Sequence, residues 1–149
     1  MTTSLSGWEV AKQITGRIPD AVIETSDTSV VIKSQSLLFV AAFLKGAPGL
    51  EFDYLTYITA IDYYDYFELV YQLTSLKHNH NLVLKTRCYG RDNPSLPSVV
   101  GLWRGADFQE REIYDLMGIR FEGHPNLKRI VLWEGFQGHP QRKDYLEWH

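Results

Sequence analysis

Two spacings of apolar residues organise this chain: alternation at period two through 67–73 and 82–89, and a stripe at i, i+3, i+4 made by Ile113, Leu116 and Met117. The first spacing predicts strands, and with a further strand over 52–61 it predicts a meander joined by turns rich in Asp, Tyr, His and Asn. Upstream, Ser6-Gly7-Trp8-Glu9 reads as a capping box that opens a helix, which Gly16 stops in a left-handed turn and Pro19 forbids to continue. Two β-rich runs, 21–25 and 29–33, flank Ser26-Asp27-Thr28 as a hairpin. The run from Ser34 or Ser36 to Lys45 has helical length, little β-branching and a basic last turn, so it is expected to be a helix ended by Gly46-Ala47-Pro48. Residues 91–97 read as a loop, with two prolines and an Asp-Asn pair opposing regular pairing. Beyond it Ser98 is expected to cap a short helix through Trp103, and Asp107-Phe108-Gln109-Glu110 to form a second capping box for the helix that Gly118 ends. After Gly118 regularity fades, leaving Ile130-Val131-Leu132 as a candidate short strand among Gly, Pro and charged residues.

The expected class is therefore α+β: helices packed on a mainly antiparallel sheet, followed by a helix and an irregular extended C-terminal arm. Residues 1–100 form the core domain, and 101–149 the helix and a partner-docking arm, one structural unit with it. A chain of 149 residues buries roughly two-thirds of its unfolded surface. The net charge of −3 provides no basic field for a nucleic-acid backbone. The longest apolar run, Leu37 to Leu44, is too short to span a membrane. The polar opening from Met1 to Gly7 carries no expected secretory leader. A lone cysteine, Cys88, fits a reducing compartment and a small buried apolar role in its strand.

Candidate chemistry is sparse. His124 and His139, each in a Gly-His-Pro triplet, are the obvious groups for a metal or for acid–base work alongside Glu110, Glu112 and Asp115. No His-x-x-x-His or Glu-x-x-His lies on a predicted helix, and Cys88 has no cysteine partner. Glu110 and Glu112, two apart on a helix, do not face one another, so a solvated or partner-facing charged surface is the stronger reading. Arg111 and Asp115, one turn apart, are expected to pair. No nucleophile–base arrangement and no phosphate-binding glycine loop emerges. Neither a catalytic, nor a cofactor-binding, nor a metal residue is expected.

The surface chemistry of the tail is more telling. From Gly123 to Tyr145, Lys128, Arg129, Arg142 and Lys143 face only Glu134 and Asp144, a local excess of cations in an acidic chain. Trp103, Trp133 and Trp148 all fall late, and Arg and Trp are the residue types that anchor protein interfaces. A solvated, disordered tail would not normally carry Trp133, Phe136 and an Ile-Val-Leu run. The tail is thus expected to gain its order by covering another polypeptide.

These residues also carry a family resemblance. Pro97–Val99, Trp103, Glu110-Arg111-Glu112-Ile113-Tyr114-Asp115 through Gly118-Ile119, Gly123 to Ile130 and Gly138 to Tyr145 resemble the signature of the 30 kDa-type (C-type) subunit of proton-translocating NADH–quinone oxidoreductase (respiratory complex I). Upstream, 54–56, 60–63 and 67–71 look like the family's strand pair. The resemblance implies a component of the hydrophilic arm that holds no cofactor, the iron–sulfur clusters and quinone belonging to its partners. It implies packing against the large quinone-module (D-type) subunit, and against the iron–sulfur subunits. It also implies peripheral association with the cytoplasmic face of the cell membrane, or with a thylakoid or other energy-transducing membrane, only through the complex. On this reading Glu110, Arg111, Glu112 and Asp115 lock the arm or meet the large quinone-module subunit. His124 and His139 aim the arm, Trp133 anchors it, and Arg129, Arg142, Lys143 and Asp144 pair across the boundary. Related subunits occur in ferredoxin-linked, F420H2-linked and hydrogenase complexes, so the electron donor is not written in this chain. The alternatives are a small metal-dependent hydrolase using His124 and His139, and a free-standing adaptor.

Overall fold

Ser6 caps helix α1 (Gly7–Arg17) as its sequence requires, its side chain accepting from the Glu9 N–H at 3.4 Å. The computed structural model describes residues 2–133 and 136–145. Gly16 does not stop this helix: it lies within it, and the end falls at Ile18, one residue before the proline that cannot continue it. Strands β2 (Val22–Thr25) and β3 (Ser29–Lys33) form the expected hairpin, closed by Ser26 and Ser29; β1 (Thr3–Ser4) precedes α1. A 3-10 turn then leads into α2 (Leu37–Gly46).

The meander follows as β4 (Tyr54–Asp62), β5 (Phe67–Ser75) and β6 (His80–Cys88), each antiparallel to the next. Because α2 carries the chain across the sheet before the meander begins, β6 returns beside β3 and pairs with it in parallel. The spatial order is β2-β3-β6-β5-β4, with the two-residue β1 alongside the start of β6. Alternation puts Phe67, Leu69, Tyr71 and Leu73 of β5, and Leu82, Leu84 and Cys88 of β6, on one face. Val10 and Ile14 of α1 and Leu37, Val40 and Leu44 of α2 cover that face to make the core. Each such side chain contributes roughly 1.5–3 kcal/mol by leaving water.

Three expectations for the later chain are corrected. The segment read as loop contains β7 (Ser95–Pro97), which pairs in parallel with β8 (Arg120–Glu122). A three-residue strand with proline at its end carries no alternation to read. Ser98 caps no helix; residues 98–105 form turns that bury Trp103, whose indole N–H donates to the Phe52 carbonyl at 3.0 Å. Helix α3 (Ala106–Met117) starts after Gly105 without a side-chain cap, so Asp107 is not an N-cap and Glu110 is not a capping-box acid. Its stop at Gly118, with φ 76°, is as expected.

Candidate functional site

Helix α3 carries three charged side chains into the interior. Glu110 and Asp115 are fully buried and Arg111 is 8% exposed, which corrects their reading as a solvated charged face; Glu112 alone of the four stays exposed. A buried charge needs partners, and each of these organises a different part of the backbone. Glu110 accepts from Ser98 Oγ at 2.5 Å and from the Val99 N–H at 2.9 Å, fixing the turn before α3. Burial pushes its carboxyl above the usual carboxylate range against the pull of those two hydrogen bonds. Arg111 does not pair with Asp115. Its Nε–H reaches the Lys128 carbonyl at 3.5 Å, and its guanidinium lies over the exposed Phe108 ring at 5.3 Å.

Asp115 holds the arm. Oδ2 accepts from the backbone N–H groups of Ile130, Val131 and Leu132 at 3.1, 2.7 and 2.9 Å, and Oδ1 lies 3.0 Å from Arg129 Nε. Burial alone would raise the Asp115 carboxyl; the three N–H donors and the Arg129 charge outweigh it and hold it below its ordinary value. Ile130-Val131-Leu132 is therefore not a strand, because its donors converge on one carboxylate instead of a neighbouring chain. Arg129 spans the bend, donating to the Phe136 and Gly138 carbonyls. Gln141 N–H closes onto the Leu116 carbonyl at 2.9 Å.

His139 lies against the end of α3. Its Nδ1 is 2.9 Å from the Asp115 carbonyl and 3.1 Å from Arg129 Nη2. A Cβ on Gly118 would stand 2.7 Å from the His139 ring, so glycine is needed there for both its φ and its space. His124 sits at the other end of the helix. Its Nε2 is 3.2 Å from the Asp107 carbonyl and 3.0 Å from the Asp107 carboxylate, and Nδ1 accepts from the Asn126 N–H. Asp107 and Asp115 are about 12 Å apart along the helix at 1.5 Å per residue, so the two histidines do not converge on one centre. That geometry overturns the metal-dependent hydrolase. No group of three potential metal ligands occurs among the described residues.

A second carboxylate pins the far end of the arm. Asp62, 4% exposed at the end of β4, accepts both forks of Arg91 at 2.8 and 2.7 Å, the Tyr64 N–H at 2.8 Å and the Lys143 N–H at 2.9 Å. The Arg91 fork first of all, with the two backbone donors, holds the Asp62 carboxyl far below its ordinary range despite burial. Asp144 bridges Arg91 and Arg142, at 3.1 and 2.9 Å, and both guanidiniums lie over the Phe67 ring. Arg129, Arg142 and Asp144 thus pair within this chain, and Lys143 lies over Tyr64.

The central expectation about the tail is corrected accordingly: its described residues are ordered by the chain's own carboxylates. At its bend the arm also leaves apolar side chains outward, among exposed polar residues such as Lys128 and Gln137. Trp133 is 69% and Val131 55% exposed, and Trp133 meets Phe136 edge-on at 4.8 Å. Glu134 and Trp148 lie outside the described residues. Reading by motif missed Asp62, Arg91 and Ser98 as site residues. Asp62 closes a strand that is otherwise free of charge, and a carboxylate buried there demands a partner.

Comparison with known proteins matches this arrangement to a family. The model for "Respiratory-chain NADH dehydrogenase, 30 Kd subunit" matches residues 30–147, which takes in the meander, α3 and both pins. The chain belongs to this 30 kDa family. It is one component of an oxidoreductase assembly of the NADH–quinone type, built from several different polypeptides. In Rhizobium meliloti (strain 1021), the second C-type subunit of NADH-quinone oxidoreductase is 46% identical over 117 residues, covering 76% of this chain and 63% of that protein. The C-type subunit of NADH-quinone oxidoreductase from Roseiflexus sp. (strain RS-1) is 38% identical over 148 residues, covering 95% and 84%. Among solved structures, a chain of the membrane-bound sulfane sulfur reductase, described as an archaeal respiratory membrane complex, shares the fold with a TM-score of 0.75 at 24% identity, covering 93% of this chain and 85% of that one. For this member of the 30 kDa family, no helix among the described residues is long and apolar enough to cross a membrane.

Proposed function

We propose that this protein is a preformed docking platform for the large quinone-module subunit in a complex that couples electron transfer to proton translocation. The observation that carries the reading is the pairing of a firmly pinned arm with an exposed apolar knuckle, Val131, Trp133 and half-buried Phe136. Asp115 and Asp62 fix the backbone before any partner arrives, so association loses little conformational freedom at the contact. A Phocaeicola vulgatus relative, 43% identical over 105 residues, is named as a joint C/D subunit of NADH-quinone oxidoreductase, and that supports proximity to the large quinone-module (D-type) partner.

On this reading the chain holds no iron–sulfur cluster and no quinone, which reside in its partners, and the electron donor is set by other subunits. It contacts the membrane only through the complex, on the cytoplasmic face. The test is affinity recovery of the large quinone-module subunit from the native membrane fraction with chains carrying Val131→Asp and Trp133→Ala. A buried tryptophan anchor is worth about 2 kcal/mol or more, so recovery should fall by roughly 30-fold in affinity terms. Undiminished recovery with a folded variant would show that the knuckle is not the contact.

A further inference from the structure

We infer that the open edge of β4 receives an extended segment of a partner polypeptide, which joins the sheet as an added strand in the cleft between β4 and α3. This rests only on the chain's place in an assembly of several polypeptides and not on which of them meets Trp133. β4 is the outermost strand of its sheet. From Tyr54 to Ile61 it holds only Tyr, Leu, Thr, Ile and Ala, without a charge or a proline. Edge strands that stand free are normally blunted by lysine, proline or inward charges, because unpaired N–H and C=O groups invite another chain. A bulge between Leu55 and Tyr57 breaks the start of this edge and leaves the rest regular.

The register identifies the open groups. Ile58 lies opposite Tyr71 and Ala60 opposite Leu69. The Ile58 N–H points away from β5, since it donates to Gln109 Oε1 at 2.6 Å, and residues two apart in an antiparallel pair point the same way. The Ile58 carbonyl and both backbone groups of Ala60 therefore face the cleft, and among the described residues nothing outside the ladder bonds them. Gln109 does for Ile58 what a neighbouring strand's carbonyl would do, and its own Nε2 is tied to the Gly105 carbonyl at 3.0 Å.

The cleft has a volume of about 180 Å³, and Glu112, Leu116 and Gln141 line it beside the strand. The stretch from Ile58 to Ile61 is about 13 Å long, room for roughly four residues of strand. Because α3 stands alongside, one extended segment fits there, whereas the flat sheet of a second copy does not. Glu112 is exposed at the cleft and has no ion pair among the described residues, so the segment that fits carries Lys or Arg opposite it and sets an apolar side chain on Leu116.

Hydrogen exchange read at single amides, in the isolated chain and in the intact membrane complex, tests this. The Ala60 amide should exchange freely in the isolated chain and about 10-fold or more slowly in the complex, with Ile58 protected in both. Equal Ala60 exchange in the two states overturns the inference. Ala60→Pro removes the outward N–H at an edge position where proline is tolerated. A folded Ala60→Pro chain should enter the complex poorly, and its entry at the wild-type level counts against the added strand. If that variant does not fold, the exchange comparison decides alone. A concentration-dependent dimer of the isolated chain that Ala60→Pro abolishes would show a second copy on the edge and overturn the inference. Ala60 protection that survives Trp133→Ala would support it and separate this surface from the knuckle.

Discussion

Replacing Asp115 with Asn is the sharpest probe of how the arm is held. The substitution keeps the side chain's shape and one acceptor oxygen but removes the charge that three backbone N–H groups and Arg129 share. Hydrogen bonds to a charged acceptor are worth about 1.5–3 kcal/mol, against about 1 kcal/mol for neutral ones. Asp115 is fully buried, so solvent screening does not reduce the difference. Three bonds weakened by about 1 kcal/mol each amount to ~3 kcal/mol, or about 100-fold in the opening equilibrium of the bend. Hydrogen exchange at Ile130, Val131 and Leu132 should accelerate by that factor, while core amides of β5 and β6 keep most of their protection. Because the folded-state carboxyl lies below its ordinary value, its stabilisation is full above the unfolded pKa near 4 and is lost as pH falls toward the folded value. Wild-type arm protection should therefore decline only in acid and the Asn variant's much less. Exchange at these amides within about threefold of wild type would refute the assignment of Asp115 as the pin.

Other expectations follow from the same geometry. Asp62→Ala leaves Arg91 without its fork and the Lys143 N–H without an acceptor; because Arg91 is partly exposed and keeps Asp144, the cost is about 1–3 kcal/mol, visible as a lower Tm and faster proteolysis after Lys143. Glu110 has the opposite sign: its folded pKa is raised, so the stability it contributes is greatest in acid and declines as pH rises from the unfolded pKa through the folded one. Glu110→Gln should thus cost little at pH 7, under about 1 kcal/mol, and compare less favourably with wild type near pH 4, as chemical denaturation at the two pH values would measure. Gly118→Ala forces a Cβ against His139 at a left-handed φ and should lower stability by about 1–2 kcal/mol, with arm amides around His139 losing protection first.

Local patterns in the sequence determined the longer elements. Alternation wrote β5 and β6, a capping Ser opened α1, a left-handed Gly closed α3, and the tail's composition marked it as ordered and interface-like. Each of those signals arises from neighbours within a few residues, where spacing alone decides which face a side chain takes. The same reasoning misplaced the end of α1, because a helix tolerates Gly16 when the chain around it still packs.

Tertiary structure decided what the charges do. Nothing local distinguishes Glu112, exposed, from Glu110 and Asp115, buried, although all lie on one helix; the distinction comes from Ser98, Val99 and the 130–132 backbone arriving from elsewhere. The parallel pairings of β3 with β6 and of β7 with β8 likewise join segments far apart in the chain. A buried carboxylate is stable only where donors converge, and that convergence is fixed by the packing of distant elements and not by spacing along the chain. Hence the sequence alone foretold an arm and its family, and only the folded domain showed that the arm is fastened to its own body.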